Sequence, residues 1–159
     1  MLLEKTYKRL LDTSFSYMCD EYRSAADYLK LAELYDIIIL RDIPVNIKDA
    51  NSLRRFIVFI DTLYDNKIRL VCSGKASCIQ MLFNENMNQL KAKYDEGTEH
   101  VYLDDTHLRV DPNQDSKVNK RGASLFTLDE EIFAIERTIS RLIDMQSESY
   151  IQKMIDTDR

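Results

Sequence analysis

The stretch from Ile37 to Cys72 constrains the fold of this chain more than any other part of it. Ile37–Leu40 is a branched apolar run too short for a helix, and it predicts a strand buried on both faces and ended by the Asp42-Ile43-Pro44 sequence. A helix is predicted to begin after Asp49 and to end at Asp65. Its inward positions are Leu53, Phe56, Ile57, Ile60, Leu63 and Tyr64. A second strand follows, so the stretch is a βαβ unit with parallel strands and a right-handed crossover.

The composition agrees with a single α/β domain. The chain has 159 residues, of which 45% are hydrophobic and 31% charged, and it contains only three glycines and two prolines. The net charge of -5 gives no electrostatic reason to expect binding to nucleic acid. No apolar run approaches the roughly 20 residues that span a bilayer, and the first residues lack a targeting signal.

Further elements are predicted on both sides of the βαβ unit. Thr13–Cys19 is either a strand or the start of a helix. Ser24 is predicted to cap a helix that runs to Tyr35, with Ala25, Leu29 and Ala32 on one face. A helix is also predicted over Ser77–Lys93, with five residues facing inward. These are Ile79, Leu82, Phe83, Met87 and Leu90.

The second half of the chain changes character after the first 94 residues. We assign residues 1–94 to the α/β part, 95–124 to a polar, mobile insertion with a small hairpin between Val101 and Val110, and 125–159 to a C-terminal helix. The sequence Thr127-Leu128-Asp129-Glu130 is a capping box and predicts where this helix begins.

No residue cluster predicts a metal site. The three cysteines form no CxxC pair and are predicted to be buried free thiols, and both histidines lie in the polar segment.

The Ser73-Gly74-Lys75-Ala76-Ser77 sequence follows a strand, as a phosphate-binding loop does. A Walker A loop requires GxxxxGK[ST], but Arg69 stands at the position of the first glycine and Ala76 at that of the hydroxyl residue. We therefore exclude a Walker A loop here. Asp42 follows the first strand as a Walker B acid would, but the more economical interpretation is a polar residue that ends the strand.

Four arginines are the candidate site residues. Arg54 and Arg55 open the central helix, while Arg137 and Arg141 lie one turn apart on the last. Such pairs are usually solvated or ion-paired surface residues, although helix arginines also reach the phosphates of a neighbouring site. Asp61 and Asp65, one turn apart, are compatible with acid–base chemistry. Alternatively, Asp61 pairs with a lysine or arginine on the helix surface and Asp65 stands where the helix ends. No catalytic constellation is visible.

Several blocks resemble one family of P-loop ATPases, the AFG-type family that includes the ZapE and lactation-elevated proteins. The blocks, in order, are Cys19-Asp20 with Ala25–Leu29, then Asp42-Ile43-Pro44, then Arg54–Asp65 with the strand that ends at Ser73, and finally Phe133–Tyr150. The chain resembles only the C-terminal portion of these ATPases, whose phosphate loop, acidic magnesium-binding strand and first sensor precede these blocks. Mild departures are Ser24 for a usual glycine, Ser73-Gly74 for Ser-Ala, and Ala134-Ile135 for an acid and an aromatic residue.

The resemblance implies a function that the residues alone do not. Family members hydrolyse Mg·ATP as oligomers, in mitochondrial protein quality control or in bacterial cell division. It implies ATP and Mg as cofactors, protein clients, the remainder of the ATPase or sister subunits as partners, and a mitochondrial or otherwise cytoplasmic location. It also favours nucleotide sensing or intersubunit contact for Arg54, Arg55, Arg137 and Arg141.

Three hypotheses remain open. The chain is a non-autonomous fragment of such an ATPase, without Walker A or Walker B and not expected to bind ATP by itself. Alternatively, it is a non-catalytic interaction module derived from that ATPase. A small unrelated α/β enzyme ranks last.

Overall fold

A computed structural model of the protein describes the backbone of residues 5–99 and 115–157 and the side chains of residues 6–93 and 128–152. The strands are β1 (Lys5–Tyr7), β2 (Leu10–Ser14), β3 (Ile37–Ile43) and β4 (Arg69–Gly74). The α-helices are α1 (Ala25–Leu34), α2 (Ala50–Asp65), α3 (Asn84–Glu99), α4 (Asp115–Asp144) and α5 (Glu148–Thr157). A π-helical turn spans Ser16–Asp20 and a 3₁₀ helix spans Ile79–Leu82.

The strands form one sheet in the order β1-β2-β3-β4. β2, β3 and β4 are parallel, with Leu10 opposite Ile37 and Leu40 opposite Cys72. The predicted α/β class and βαβ unit are therefore confirmed. The sheet is mixed, because β1 forms an antiparallel hairpin with β2.

β3 differs from its prediction in length and in burial. It continues to Ile43 and stops before Pro44, through an irregularity between Leu40 and Ile43 where Asp42 adopts a left-handed backbone with a φ of 61°. Burial on both faces is wrong, since buried and half-buried residues alternate along β3. The reason is that the described helices cover one side of the sheet.

This covered side, the inner face, holds the core. α1 and α2 each connect two parallel strands and pack against each other, so they lie on the same face. The fully buried Phe56, Phe59 and Leu63 of α2 join Leu11 and Ile38 of the sheet in one hydrophobic cluster. α4 packs on the far side of α2 and on α3, so all these helices stack on the inner face.

α2 matches its prediction at both ends. Asp49 is the N-cap, and its carboxylate accepts a hydrogen bond from the backbone N–H of Ser52. The helix ends at Asp65.

α1 begins after Ser24 as predicted, with a capping box between Ser24 and Asp27. Of the residues predicted to share one face, Ala32 is buried, whereas Ala25 and Leu29 are exposed and Tyr28 is buried in their place. The Tyr28 hydroxyl donates a hydrogen bond to the Met18 carbonyl at 2.8 Å. This bond fixes the Tyr28 side of α1 to the π-helical turn.

One helix was predicted with the wrong start, and one segment combines its two predicted alternatives. The helix over Ser77–Lys93 is instead a 3₁₀ helix followed by α3, because Phe83 leaves helical geometry and its ring stacks on Phe56 at 6.1 Å. The segment Thr13–Cys19 contains both predicted alternatives, since β2 ends at Ser14 and the π-helical turn follows.

The start of the last helix at Thr127 is also wrong. α4 is continuous from Asp115, so the capping-box sequence lies within it, and a second helix, α5, follows. The predicted hairpin between Val101 and Val110 lies outside the described residues, and the domain boundaries and the mobility of residues 95–124 stay predictions. Among the described helices, none is long and apolar enough to span a membrane.

Candidate functional site

The carboxyl ends of the parallel strands carry two adjoining cavities. One, of about 400 Å³, lies between the ends of β2 and β3 and the start of α2; the other, of about 620 Å³, lies between the ends of β3 and β4. Asp42 lines both cavities. Ligands of open α/β sheets bind at this edge, so a ligand-binding or catalytic site is expected there.

The start of α2 is occupied by the protein's own carboxylates. The Ser52 hydroxyl lies 2.8 Å from Asp20 Oδ1 and 2.9 Å from Asp49 Oδ2, and donates its single hydrogen to one of them. The pKa of Asp49 is lowered, chiefly because the Ser52 N–H donates to the carboxylate. The helix N-terminus, a common phosphate site, is therefore already neutralised by a capping anion.

Acidic residues predominate at this edge, although Lys48 lines the smaller cavity and Lys75 the larger one. Asp20, Asp42 and Asp49 outnumber Lys48 around the smaller cavity. Gly74 lies against β3 so closely that a Cβ atom there would stand 2.7 Å from the Ile43 carbonyl oxygen. Within residues 6–93 and 128–152, no three potential ligands converge on a metal position.

Arg55 is held by the π-helical turn. Its guanidinium donates to the Cys19 carbonyl and lies 5.7 Å from the centre of the exposed Tyr22 ring. The Cys19 thiol is buried, and this burial raises its pKa to about 12. The prediction of buried thiols is wrong for Cys72 and Cys78, which are exposed.

Arg54 connects α2 to α4. Its Nη2 lies 2.6 Å from Glu131 Oε1, and the arginine side chain is 64% exposed. This pair borders a groove of about 420 Å³ between α2, α3 and α4, lined mainly by apolar side chains.

Arg137 and Arg141 share one carboxylate. Asp61 Oδ2 lies 2.7 Å from Arg137 Nη2, and Asp61 Oδ1 lies 2.6 Å from Arg141 Nη1. The second contact is ionic, since Asp61 Oδ1 is buried without a partner in hydrogen-bond geometry. Arg141 also lies 3.1 Å from Asp65. The predicted pairing of Asp61 with a basic side chain is confirmed, as is the position of Asp65 at the end of α2.

Two tyrosines extend this cluster and were not singled out from the sequence. The Tyr64 hydroxyl donates to Asp144 at 2.8 Å, which raises the pKa of Tyr64. The Tyr64 ring stacks on Tyr150 at 5.6 Å, and Arg141 lies 5.0 Å from its centre. Their separation along the chain left no local signal for the contact, although Tyr64 lies in the third and Tyr150 in the fourth of the blocks that carry the family resemblance.

The four candidate arginines therefore lie along α2 and α4 and not in the cavities at the sheet edge. Arg137 and Arg141 come together around Asp61, whereas Arg54 and Arg55 point to different partners. The contacts with Glu131, Asp61 and Asp144 run in the same direction along both helices, so α4 is parallel to α2.

A mostly parallel sheet with helices is consistent with a core like that of P-loop ATPases. Comparison with known proteins makes this specific: residues 1–98 match the family model described as AFG1-like ATPase. The chain belongs to the AFG1-like ATPase family.

Curated relatives agree with this assignment. The Danio rerio protein Lactation elevated protein 1 homolog B is 36% identical over 149 residues, 93% of this chain and 27% of the relative. Uncharacterized protein C115.02c of Schizosaccharomyces pombe is 32% identical over 139 residues, 87% of this chain and 27% of that protein.

A bacterial protein matches a shorter region. Cell division protein ZapE of Escherichia coli K12 is 36% identical over 66 residues, 41% of this chain and 18% of that protein. The chain thus spans about a quarter or less of the length of these relatives. No solved structure matches it.

Proposed function

We propose that this chain acts as a non-catalytic portion of an AFG-type ATPase that hydrolyses Mg·ATP. Family membership carries the proposal, and the acidic carboxyl edge supports it. Arg69 and Ala76 replace two residues that a Walker A loop needs, and Asp49 occupies the helix N-terminus. In this proposal, the phosphate-binding residues come from the remainder of the ATPase or from sister subunits of a homo-oligomer.

Calorimetric titration of the purified chain with Mg·ATP tests this proposal. We expect neither binding at micromolar concentration nor turnover. Micromolar affinity or measurable hydrolysis would overturn the claim that the chain is not autonomous.

Among the candidate arginines, Arg54 and Arg137 fit an intersubunit or nucleotide-sensing role better than the other two. Their side chains are 64% and 51% exposed, and exposed ion pairs exchange partners at little cost. Arg55 and Arg141 are more enclosed by the contacts that hold α2 to its neighbours.

A chimera provides the assay. In it, this chain replaces the matching region of the zebrafish relative, and Mg·ATP hydrolysis is measured. Arg54→Ala is expected to lower turnover at least tenfold, whereas Glu131→Ala, which removes the same ion pair but keeps the arginine, should not. An equal loss of turnover in both variants would show that Arg54 has only a structural role, through its ion pair with Glu131.

We also propose a role in mitochondrial protein quality control, with protein clients, on the resemblance to eukaryotic members of the family. Fractionation of cells that express the tagged protein tests the location. Recovery with mitochondrial markers is expected, and recovery only in the cytoplasmic fraction contradicts it.

The alternative is a non-catalytic protein-interaction module derived from the ATPase. The observation in its favour is that the described residues form their own hydrophobic core. An in-frame GxxxxGK[ST] sequence upstream in the gene would favour the first proposal, whereas stop codons throughout that region with a stable transcript would favour the module.

A further inference from the structure

An apolar groove, the α2–α4 groove, lies between the starts of these two helices and is closed on one side by α3. Its volume is about 420 Å³. The apolar lining is aliphatic and consists of Ala50, Leu53, Ile57 and Val58 of α2, Leu90 of α3, and Ala134 and Ile135 of α4. Three ionisable side chains border it, those of Arg54, Glu130 and Glu131. The groove therefore combines an aliphatic surface with a few charges at its margin.

The floor of the α2–α4 groove belongs to the core, whereas one wall is open to solvent. Leu53, Ile57 and Leu90 are each 8% exposed and Ile135 is 1% exposed, so the floor is already packed. Val58 is 38% exposed, although it lies on the helix that supplies much of the core. Aliphatic walls offer water few hydrogen bonds, so apolar side chains that displace this water bind favourably.

Two ion pairs between α2 and α4 fix the shape of this groove. Arg54 lies 2.6 Å from Glu131 at its margin, and Asp61 lies 2.7 Å from Arg137 further along both helices. Arg54 and Asp61 are seven residues apart, which is roughly 10 Å at the rise of an α-helix. Side chains at positions i, i+4 and i+7 of a partner helix span the same distance. The groove thus needs little rearrangement to accept one face of a helix.

The charges at the margin favour a cationic partner. Glu131 is neutralised by its pair with Arg54, whereas Glu130 is exposed and forms no ion pair with the residues that the structure describes. Two glutamates and one arginine leave one negative charge at the groove. A lysine or arginine of the partner would pair with Glu130. A second copy of this chain carries a net charge of -5 and would be repelled by the first.

We infer that the α2–α4 groove binds an amphipathic helical segment of a client protein, with aliphatic side chains in the groove and a lysine or arginine beside Glu130. The inference rests on the proposed function, which includes protein clients. The open wall at Val58 suits a helix that lies along the surface, whereas a small apolar ligand needs a more enclosed pocket. The groove thereby selects clients by one face of a helix and by the sign of its charge.

Fluorescence anisotropy of the 159-residue chain with labelled synthetic helices tests the inference. The first peptide has about 15 residues, with leucines spaced three or four positions apart on one face and a lysine at the border of that face. The second has glutamate in place of the lysine, and the third has serine in place of the leucines. We expect micromolar binding of the first, about fivefold weaker binding of the second and no measurable binding of the third. Absence of binding by the first peptide, or equal affinity for the first and third, would overturn the inference.

Reversal of one charge provides a second measurement. Glu130→Lys should make the chain prefer the glutamate peptide over the lysine peptide, by about the same factor as the unaltered chain prefers lysine. Glu136→Lys is the matched control, since Glu136 is exposed on the same helix but does not line the groove. It should keep the preference for lysine. An unchanged preference in Glu130→Lys would show that the peptides bind elsewhere, and would overturn the inference.

The apolar wall has its own variant. Val58→Glu should weaken binding of the first peptide about tenfold or more, because it places a carboxylate against the leucines of the partner. Val71→Glu is the matched control, since Val71 is 53% exposed on β4 and does not line the groove. Circular dichroism checks that both variants fold, and Glu130→Lys decides the question where Val58→Glu does not. Equal affinity of a folded Val58→Glu variant and its control would contradict binding in the groove.

Sedimentation of the chain without peptide tests a second copy as the occupant. We expect a monomer, and a dimer that dissociates on Val58→Glu would overturn the inference. Calorimetry with Mg·ATP and hydrolysis by the zebrafish chimera report separately on the proposed function. Peptide binding and the proposed function can therefore fail independently.

Discussion

At the scale of single residues, Asp61 is where the candidate site and the stability of the fold meet. Its side chain is 20% exposed and lies between Arg137 and Arg141. One carboxylate thus contacts two guanidinium groups that belong to a helix more than 70 residues away in sequence. The sequence identified Asp61, Arg137 and Arg141 as candidate residues, but their pairing depends on how α4 packs on α2.

Asp61→Ala should therefore destabilise the protein more than loss of an exposed pair. We expect a decrease of about 1–3 kcal/mol in the free energy of unfolding, chiefly because Arg141, whose side chain is 22% exposed, loses a charged partner in a partly enclosed position. The pair with the more exposed Arg137 contributes little. Urea denaturation measures it. Glu131→Ala is the control, because its partner Arg54 is 64% exposed, and it should have little effect. Equal effects would show that the Asp61 cluster is an ordinary surface pair.

Gly74 presents a second residue-scale prediction. A Cβ atom at this position would meet the Ile43 carbonyl oxygen at 2.7 Å, which is backbone and cannot rotate away. Gly74→Ala should cost about 1–3 kcal/mol of stability through displacement of β4. Ser73→Ala, on an exposed neighbour, should leave the unfolding midpoint unchanged. A neutral Gly74→Ala variant would mean that β4 shifts freely.

At the scale of elements, local sequence was sufficient where caps and periodicity agreed. α2 has a capping aspartate, a one-sided apolar pattern and a clear end at Asp65, and all three were predictable. At Thr127 the same kind of signal misled, because a capping box does not prevent a helix from continuing through it. At Phe83 the apolar periodicity predicted a continuous helix, but the stacking of the Phe83 ring on Phe56 interrupts the helix there.

The capping aspartate of α2 gives a pH-dependent prediction. The pKa of Asp49 is lower in the folded protein than in the unfolded chain, so its stabilising effect is present above the unfolded value near 4 and disappears as the pH falls through the folded value. Asp49→Ala should lower the Tm by a few degrees at pH 7. Thermal unfolding from pH 7 to pH 2 should show the two proteins converge below about pH 4. A gap that stays constant to pH 2 would contradict the charged cap.

At the scale of the whole molecule, α4 and the sheet should unfold together. Ile135 of α4 is 1% exposed and belongs to the same hydrophobic cluster as Ile38 and Phe56. Ile135→Ala should lower the free energy of unfolding by about 2–4 kcal/mol. Far-UV circular dichroism and tyrosine fluorescence should both report this change in a single, coincident transition. Ile143→Ala, at a residue 49% exposed on the same helix, is the matched control. Two separate transitions would show that α4 and the sheet unfold as separate units, and would contradict the single-domain prediction.

The parallel arrangement of α4 on α2 also sets an order of assembly. Its polar contacts join residues 76 to 80 positions apart, as in Asp61 with Arg137 and Tyr64 with Asp144. On a ribosome that adds roughly 5–20 residues each second, α2 and β4 emerge several seconds before α4 is complete. During that interval the nascent βαβ unit exposes the side of α2 that α4 later covers, so this stage of synthesis is where a chaperone would be needed.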